Sequence, residues 1–239
     1  INQLFTLPSL TSFDLALLPL LLYADDIVLI APDLPTLKSM LSLLDEICTD
    51  LALTINYKKT EIQALGHPSA HAHETLTPFH VTPHRESEVS ISTSFGYLGS
   101  IMSTPSPNIP ILEEELSRRL SSAAYAFNLI TTRLWSSTAF TPKTKLDLYK
   151  ALVIPKLLYA CQTWTLTDVQ LQRIEVAHNR FIRRIKDKNK TQDAHGNWRH
   201  ISNESLHKIP PVTAPISHTI YKLQASYIGK LIRNAPPPP

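Results

Sequence analysis

Asp25 and Asp26 are adjacent carboxylates set between two apolar runs, Leu20-Leu21-Leu22 and Ile27-Val28-Leu29-Ile30-Ala31. Two like charges at the junction of runs that read as buried strands are costly unless something neutralises them. A divalent cation does so, and Mg²⁺ is bound by one or two carboxylates together with phosphate oxygens. The segment therefore reads as strand, tight turn and strand, with the carboxylates displayed at the tip. The chemistry that such a pair serves is phosphoryl transfer with two metal ions roughly 3.5–4 Å apart.

Four further segments carry chemistry-bearing residues. Asn56-Tyr57-Lys58-Lys59-Thr60 places two lysines ahead of a strand, and Phe95-Gly96-Tyr97-Leu98-Gly99 has the small residues that let a backbone approach a nucleic-acid strand closely. Glu113 to Leu120 reads Glu-Glu-Glu-Leu-Ser-Arg-Arg-Leu, and Leu158 to Trp164 reads Leu-Tyr-Ala-Cys-Gln-Thr-Trp. Arg173, Arg180 and Arg184 fall within about 40° of one another at 100° per residue, so they form one basic helix face.

Taken in order, Tyr23-Ala24-Asp25-Asp26, the N-x-x-K-T segment, Tyr97-Leu98-Gly99 and the helical motifs resemble a reverse transcriptase of the non-LTR (LINE-type) retrotransposons. The resemblance covers about the whole chain. It implies an RNA-directed DNA polymerase, with RNA template, DNA primer and deoxynucleoside triphosphates as partners and Mg²⁺ as cofactor. On that resemblance Asp25 is a metal ligand and catalytic, with Asp26 in support. Lys59 is a candidate general acid or counter-charge toward pyrophosphate. Tyr23, Tyr97 and Gly99 would meet the primer, and Arg173, Arg180 and Arg184 the template–primer backbone. The resemblance also implies a second aspartate on an earlier strand. Asp14 is too near Asp25 in sequence for that role. The expectation is thus a C-terminal fragment of such an enzyme, inactive alone for want of that aspartate and of the fingers. A non-catalytic nucleic-acid-binding module and a degenerate transposon remnant are the alternatives.

The elements that must position these residues follow from pattern. The fold class expected is α+β: a partial palm with an antiparallel hairpin and a packed helix over residues 1–104, an all-α thumb and connector over 105–235, and a proline tail at 236–239. Residues 1–18 read as apolar and irregular. Leu37, Met40, Leu41, Leu44, Ile47 and Cys48 predict one helix stripe beneath the hairpin, after a cap at Asp33 or Thr36. Helices are predicted over about 112–135, from Pro142 through Leu157, from Asp168, and over about 202–208 and 215–233.

Charge divides along the same line. Residues 1–110 hold four Lys/Arg against eleven Asp/Glu, a net −7, and residues 111–239 hold nineteen against nine, a net +10. A basic half suits phosphates. Cys48 and Cys161 read as reduced core thiols of an intracellular protein, nuclear for a retrotransposon product. No membrane span is expected, because Pro19, Asp25 and Asp26 interrupt the long apolar stretch.

Overall fold

The computed structural model describes residues 3–6, 20–64, 79–80, 88–104, 112–187, 190–192 and 198–234. Asp14, the Pro/Ser stretch near 105–110 and the proline tail lie outside them. The fold is α+β, as the sequence pattern predicts. The chain divides into two compact units, Ile1–Ile111 and Leu112–Pro239.

The first unit is a mixed sheet. Its strands are β1 (Gln3–Thr6), β2 (Leu20–Tyr23), β3 (Asp26–Ala31), β4 (Glu61–Ala64), β5 (Phe79–His80) and β6 (Glu88–Ile91), in the spatial order β2-β3-β1-β4-β6-β5. β2 and β3 pair antiparallel, with Tyr23 opposite Asp26 and Leu21 opposite Val28. β1 corrects the expectation of an irregular N-terminal stretch. It lies at the sheet's centre, parallel to both β3 and β4. Four residues are too few for an alternation to be legible, and the partners lie far along the chain.

Helix α1 (Leu34–Asp50) covers one face of this sheet. Asp33 caps it, accepting from the Thr36 amide at 2.8 Å. Leu37, Leu41 and Cys48 are buried against Leu29, Ala31, Ile55, Tyr57, Ile62 and Val89. Ile47, predicted to join that stripe, is exposed instead. On the opposite face Val28 packs with Phe95 of a hairpin formed by β7 (Ser94–Tyr97) and β8 (Ser100–Ser103). Strand β3 alternates as the pleat requires, Leu29 and Ala31 toward α1, Val28 toward the hairpin.

The second unit is mainly helical: α2 (Glu113–Leu129), α3 (Pro142–Leu152), α4 (Ile154–Leu157), α5 (Asp168–Lys186), α6 (Asn203–Lys208) and α7 (Ile216–Asn234), with a short ribbon of β9 (Lys190–Gln192) and β10 (Trp198–His200). Thr141 caps α3 ahead of Pro142. Thr167 and Gln170 form a reciprocal capping box on α5. Two predicted helices are interrupted. The first ends at Leu129 and gives way to a π turn over Thr131–Trp135. The second breaks at Val153, because Pro155 in the following turn has no amide to continue the ladder.

The core of this unit is aromatic. Phe127 stacks on Trp135 at 4.7 Å and on Phe181 at 4.5 Å, with Tyr149 edge-on at 6.4 Å. The Trp135 indole donates to the Phe127 carbonyl at 2.7 Å, and Lys145 donates to the Trp135 carbonyl at 2.8 Å. The π turn's wider winding is thereby held by side chains where the helical ladder lapses. Beside this stack lies a buried polar group. Tyr149 hydroxyl and His178 Nδ1 are hydrogen-bonded at 2.8 Å, and the His178 and His207 rings stack at 5.9 Å. Lys186 donates to the Leu206 and Ile209 carbonyls, and Glu175 accepts from the Ile216 and Ser217 amides at the start of α7.

Burial pushes His178 down to about 4, and the same cause lowers His207. Both fall below the unfolded value near 6.5. The unfolded chain then binds more protons over that interval, so stability is complete above about pH 6.5 and declines as pH falls. Urea titrations of the full chain should show the midpoint dropping between about pH 6.5 and 4.5. A midpoint constant over that range would remove the buried neutral pair.

Candidate functional site

The hairpin of β2 and β3 turns through Ala24 and Asp25, with Ala24 at φ 54°. Asp25 is exposed at the turn, and Asp26 opens β3 half-buried. The alternation of β3 puts Asp26 on the face of Val28, and Tyr23, directly opposite it, shares that face. This is the face that receives the β7–β8 hairpin. Leu21, Ile30 and Tyr97 pack around the Val28–Phe95 contact. The Asp-Asp turn and the Tyr97-Leu98-Gly99 turn, some seventy residues apart, are thus mounted on one side of one sheet.

The second turn has Leu98 at φ 47° and Gly99 at φ 79°. Two successive positive φ angles match the right-handed twist of a two-residue hairpin, and glycine takes the second without steric cost. The hairpin is fastened by Gln63, fully buried in β4. Its amide Nε2 donates to the Thr93 carbonyl at 3.1 Å, the Met102 carbonyl at 2.9 Å and Thr104 Oγ1 at 3.2 Å. Thr104 in turn donates to the Ala64 carbonyl at 3.1 Å. A polar residue in the otherwise apolar stretch Ile62–Leu65 is the signal in sequence for this fastening, and the pattern of strands and helices passes over it.

Lys59 ends a short 3₁₀ turn, Tyr57–Lys59, and is exposed. Glu61 and Val28 are both level with Gln3 of the intervening β1. Lys59 precedes the first residue of β4 by two, and Asp26 is the first residue of the parallel strand β3. The lysine and the carboxylates therefore share one end of the sheet.

Asp25 and Asp26 supply two carboxylate groups, and no cluster of three or more His, Cys, Asp or Glu side chains able to hold a metal occurs among the described residues. Such a donor set fits a Mg²⁺ that arrives with phosphate oxygens completing its shell, rather than an ion caged by protein alone.

In the helical unit the basic face is split. Arg173 is drawn to Glu113 of α2, whose carboxyl that guanidinium holds below the usual range. Arg180 and Arg184 are exposed farther along α5. Arg183 donates to Asn203 Oδ1 at 2.8 Å and ties the end of α5 to α6. The motif Glu113–Leu120 proves to be joined to Leu158–Trp164 by packing. Buried Glu115 accepts from Arg118 at 2.8 Å and from Arg119 at 2.6 Å, and Arg119 lies 4.5 Å above the Tyr159 ring. Leu158, Cys161 and Trp164 are core residues, and the Gln224 amide donates to the Cys161 and Trp164 carbonyls. No helix among the described residues is long and apolar enough to cross a membrane.

Comparison with known proteins gives a distant relative. The chain is 26% identical over 213 residues to an uncharacterized Caenorhabditis elegans protein named as transposon-derived, a match covering 88% of this chain and 70% of that one. No family model matches the chain. No solved structure matches it.

Gln63 offers a direct check on how the two turns are held together. Replacing it with Leu leaves buried backbone carbonyls without their donor, a cost of about 1–3 kcal/mol for each group left unpaired. Gln63→Leu should lower the urea midpoint and accelerate amide exchange across residues 94–103, with α1 protected as before. Unchanged exchange in the hairpin would mean that Gln63 is not its anchor.

Proposed function

We propose that this chain is a transposon-derived protein carrying the primer-terminus side of an RNA-directed DNA polymerase of the non-LTR type. The observation that carries the reading is the packing of Phe95 and Tyr97 on Leu21, Val28 and Ile30. It brings the Leu98-Gly99 turn to the same sheet face as Tyr23 and Asp26, as a site that holds a primer end beside metal-binding carboxylates requires. The ordered motifs support the polymerase ancestry, and the transposon-derived relative supports a transposon origin.

In this reading Asp25 and Asp26 hold Mg²⁺ against the primer 3′ end and the triphosphate. The metal supplies Lewis-acid activation of the hydroxyl and charge neutralisation when it is bound. Tyr23 and Tyr97 flank the terminal nucleotide, Gly99 lets the backbone approach, and Lys59 meets the charge on the departing pyrophosphate. Arg180 and Arg184 neutralise backbone phosphates, while Arg173 steadies α5 against α2. Two metals need a carboxylate from a further strand, and the described residues place none beside Asp25 and Asp26. The function proposed for the chain by itself is therefore binding of a primer–template, with strand extension left to an assembly that provides that group.

The second reading, a nucleic-acid-binding module whose hairpin is only a scaffold, draws on the net +10 of residues 111–239. The two differ in where the primer terminus lies.

A primer annealed to RNA and ending in a photoreactive base tests the proposal. Crosslinks should map to residues 23–26 and 95–99, and should persist in Asp25→Ala. Adducts confined to the helical unit would leave only the scaffold reading. Replacing both Arg180 and Arg184 with Ala should weaken binding and flatten its salt dependence by a slope of about 2 in log–log form, near one for each phosphate no longer neutralised. Deoxynucleotide incorporation by the purified chain, abolished in Asp25→Ala, would contradict the assignment of binding without extension.

A further inference from the structure

The helical unit has an open groove of about 460 Å³ between α2 and α5. Its floor is Leu120, Ala124 and Phe181, with Ser121, Val176 and Arg180 at the margin. The small side chains Ser121 and Ala124 let another backbone come close, and Val176 is 56% exposed on the rim. Charge along the groove is uneven. Arg173 is matched by Glu113 at one end, whereas Arg180 and, one turn on, Arg184 are exposed toward the other. Phosphates gain nothing from an apolar floor. An amphipathic helix with carboxylates beside its apolar row gains from both features.

The chain itself carries such a helix surface. On α1 and its C-cap, Leu43, Ile47 and Leu51 are 58%, 47% and 65% exposed. They recur every four residues and so form one exposed row that slants along the helix, about 120° from the buried Leu37 at Leu43 and about 40° from it at Leu51. Glu46 and Asp50, both exposed, lie within about 60° of Leu43 on the same side. The stripe runs about 12 Å and the lining segment of α5, Gln172 to Phe181, about 14 Å, at 1.5 Å per residue. The residues around the stripe belong to the acidic half of the sequence, net −7, and the groove to the basic half, net +10.

We propose that the α2–α5 groove binds the outward stripe of α1 from a second copy of this chain, Leu43, Ile47 and Leu51 seated on the floor and Glu46 and Asp50 facing Arg180 and Arg184. The association does not depend on the polymerase ancestry, and because it occupies Arg180 and Arg184 it competes with a primer–template for them. It would make the protein self-associate head to tail, the heterologous kind of contact.

Analytical ultracentrifugation of the full chain over micromolar concentrations tests it. The chain should sediment as dimers or larger species at low salt and dissociate at high salt. Ala124→Arg, which fills the groove, and Ile47→Glu, which charges the stripe, should each weaken association at least about tenfold, some 1.4 kcal/mol. Val176→Glu, on the exposed rim, serves if Ala124→Arg does not fold. Arg180→Glu should weaken association, and joining it with Glu46→Lys and Asp50→Lys should restore it. A monomer at all concentrations, or an oligomer indifferent to these changes, would overturn the proposal. So would an Ala124→Arg variant with unaltered mass but weakened RNA–DNA binding, since nucleic acid would then occupy the groove.

Discussion

The first unit depends on strand β3 being buried on both of its faces. Leu29 and Ala31 are sealed under α1, and Val28 lies under Phe95. A one-residue slip against β2 or β1 would exchange the two sets and bring Asp26 to the face covered by α1. The strand's apolar content thus fixes its register, and the register fixes where the carboxylates stand. The position of the Asp25–Asp26 turn is a consequence of core packing several residues away from it.

The helical unit is organised by a different rule, in which polar side chains reach across to backbone ends. Lys186 and Gln224 supply donors to carbonyls left over at turns, and Glu175 supplies the acceptor at the first amides of α7. Glu115, Arg119 and Tyr159 connect two segments that look like functional motifs when read as a string. Their placement gives them to packing. Buried charges of this kind hold only while every partner is present, because a lone ion in such surroundings is costly. The motif-like character of the helical half therefore comes from its interior, and its outward chemistry is left to Arg180, Arg184 and the groove beside them.

Legibility follows the range of the interactions. Helix starts are readable because caps are local: Asp33, Thr141 and Thr167 each bond an amide three residues on. The Tyr97-Leu98-Gly99 turn is readable because its glycine sits where positive φ is needed. Strand β1 is not, since Gln-Leu-Phe-Thr has no period to recognise and its neighbours are contributed by residues 28–31 and 61–64. The break at Val153 is signalled by Pro155 and overridden by the apolar stripe Leu146, Tyr149, Leu152, Val153 and Leu157, of which all but the exposed Leu152 are buried. Gln63 shows in sequence only as a polar residue in an apolar stretch; its partners, the Thr93 and Met102 carbonyls and Thr104 Oγ1, lie thirty or more residues away and nothing local points to them.

Ala24 bears on whether the carboxylate turn is more than scaffold. A tight hairpin turn can be made without strain by glycine or asparagine at the left-handed position. Here that position is alanine at φ 54°, a conformation costing roughly 1–2 kcal/mol for a residue with a Cβ. The turn at Leu98-Gly99 gives one of its two such positions to glycine and the other to leucine, and Ala52 and Ala160 take the same conformation at φ 56° and 61°. Tyr23 is exposed at the end of β2 with the Asp25 and Asp26 carboxylates beside it, the kind of charge that guards a sheet edge. Left-handed alanine therefore recurs in the turns of this chain, and the strain at Ala24 belongs to the tight turn without distinguishing a ligand site from a link between β2 and β3.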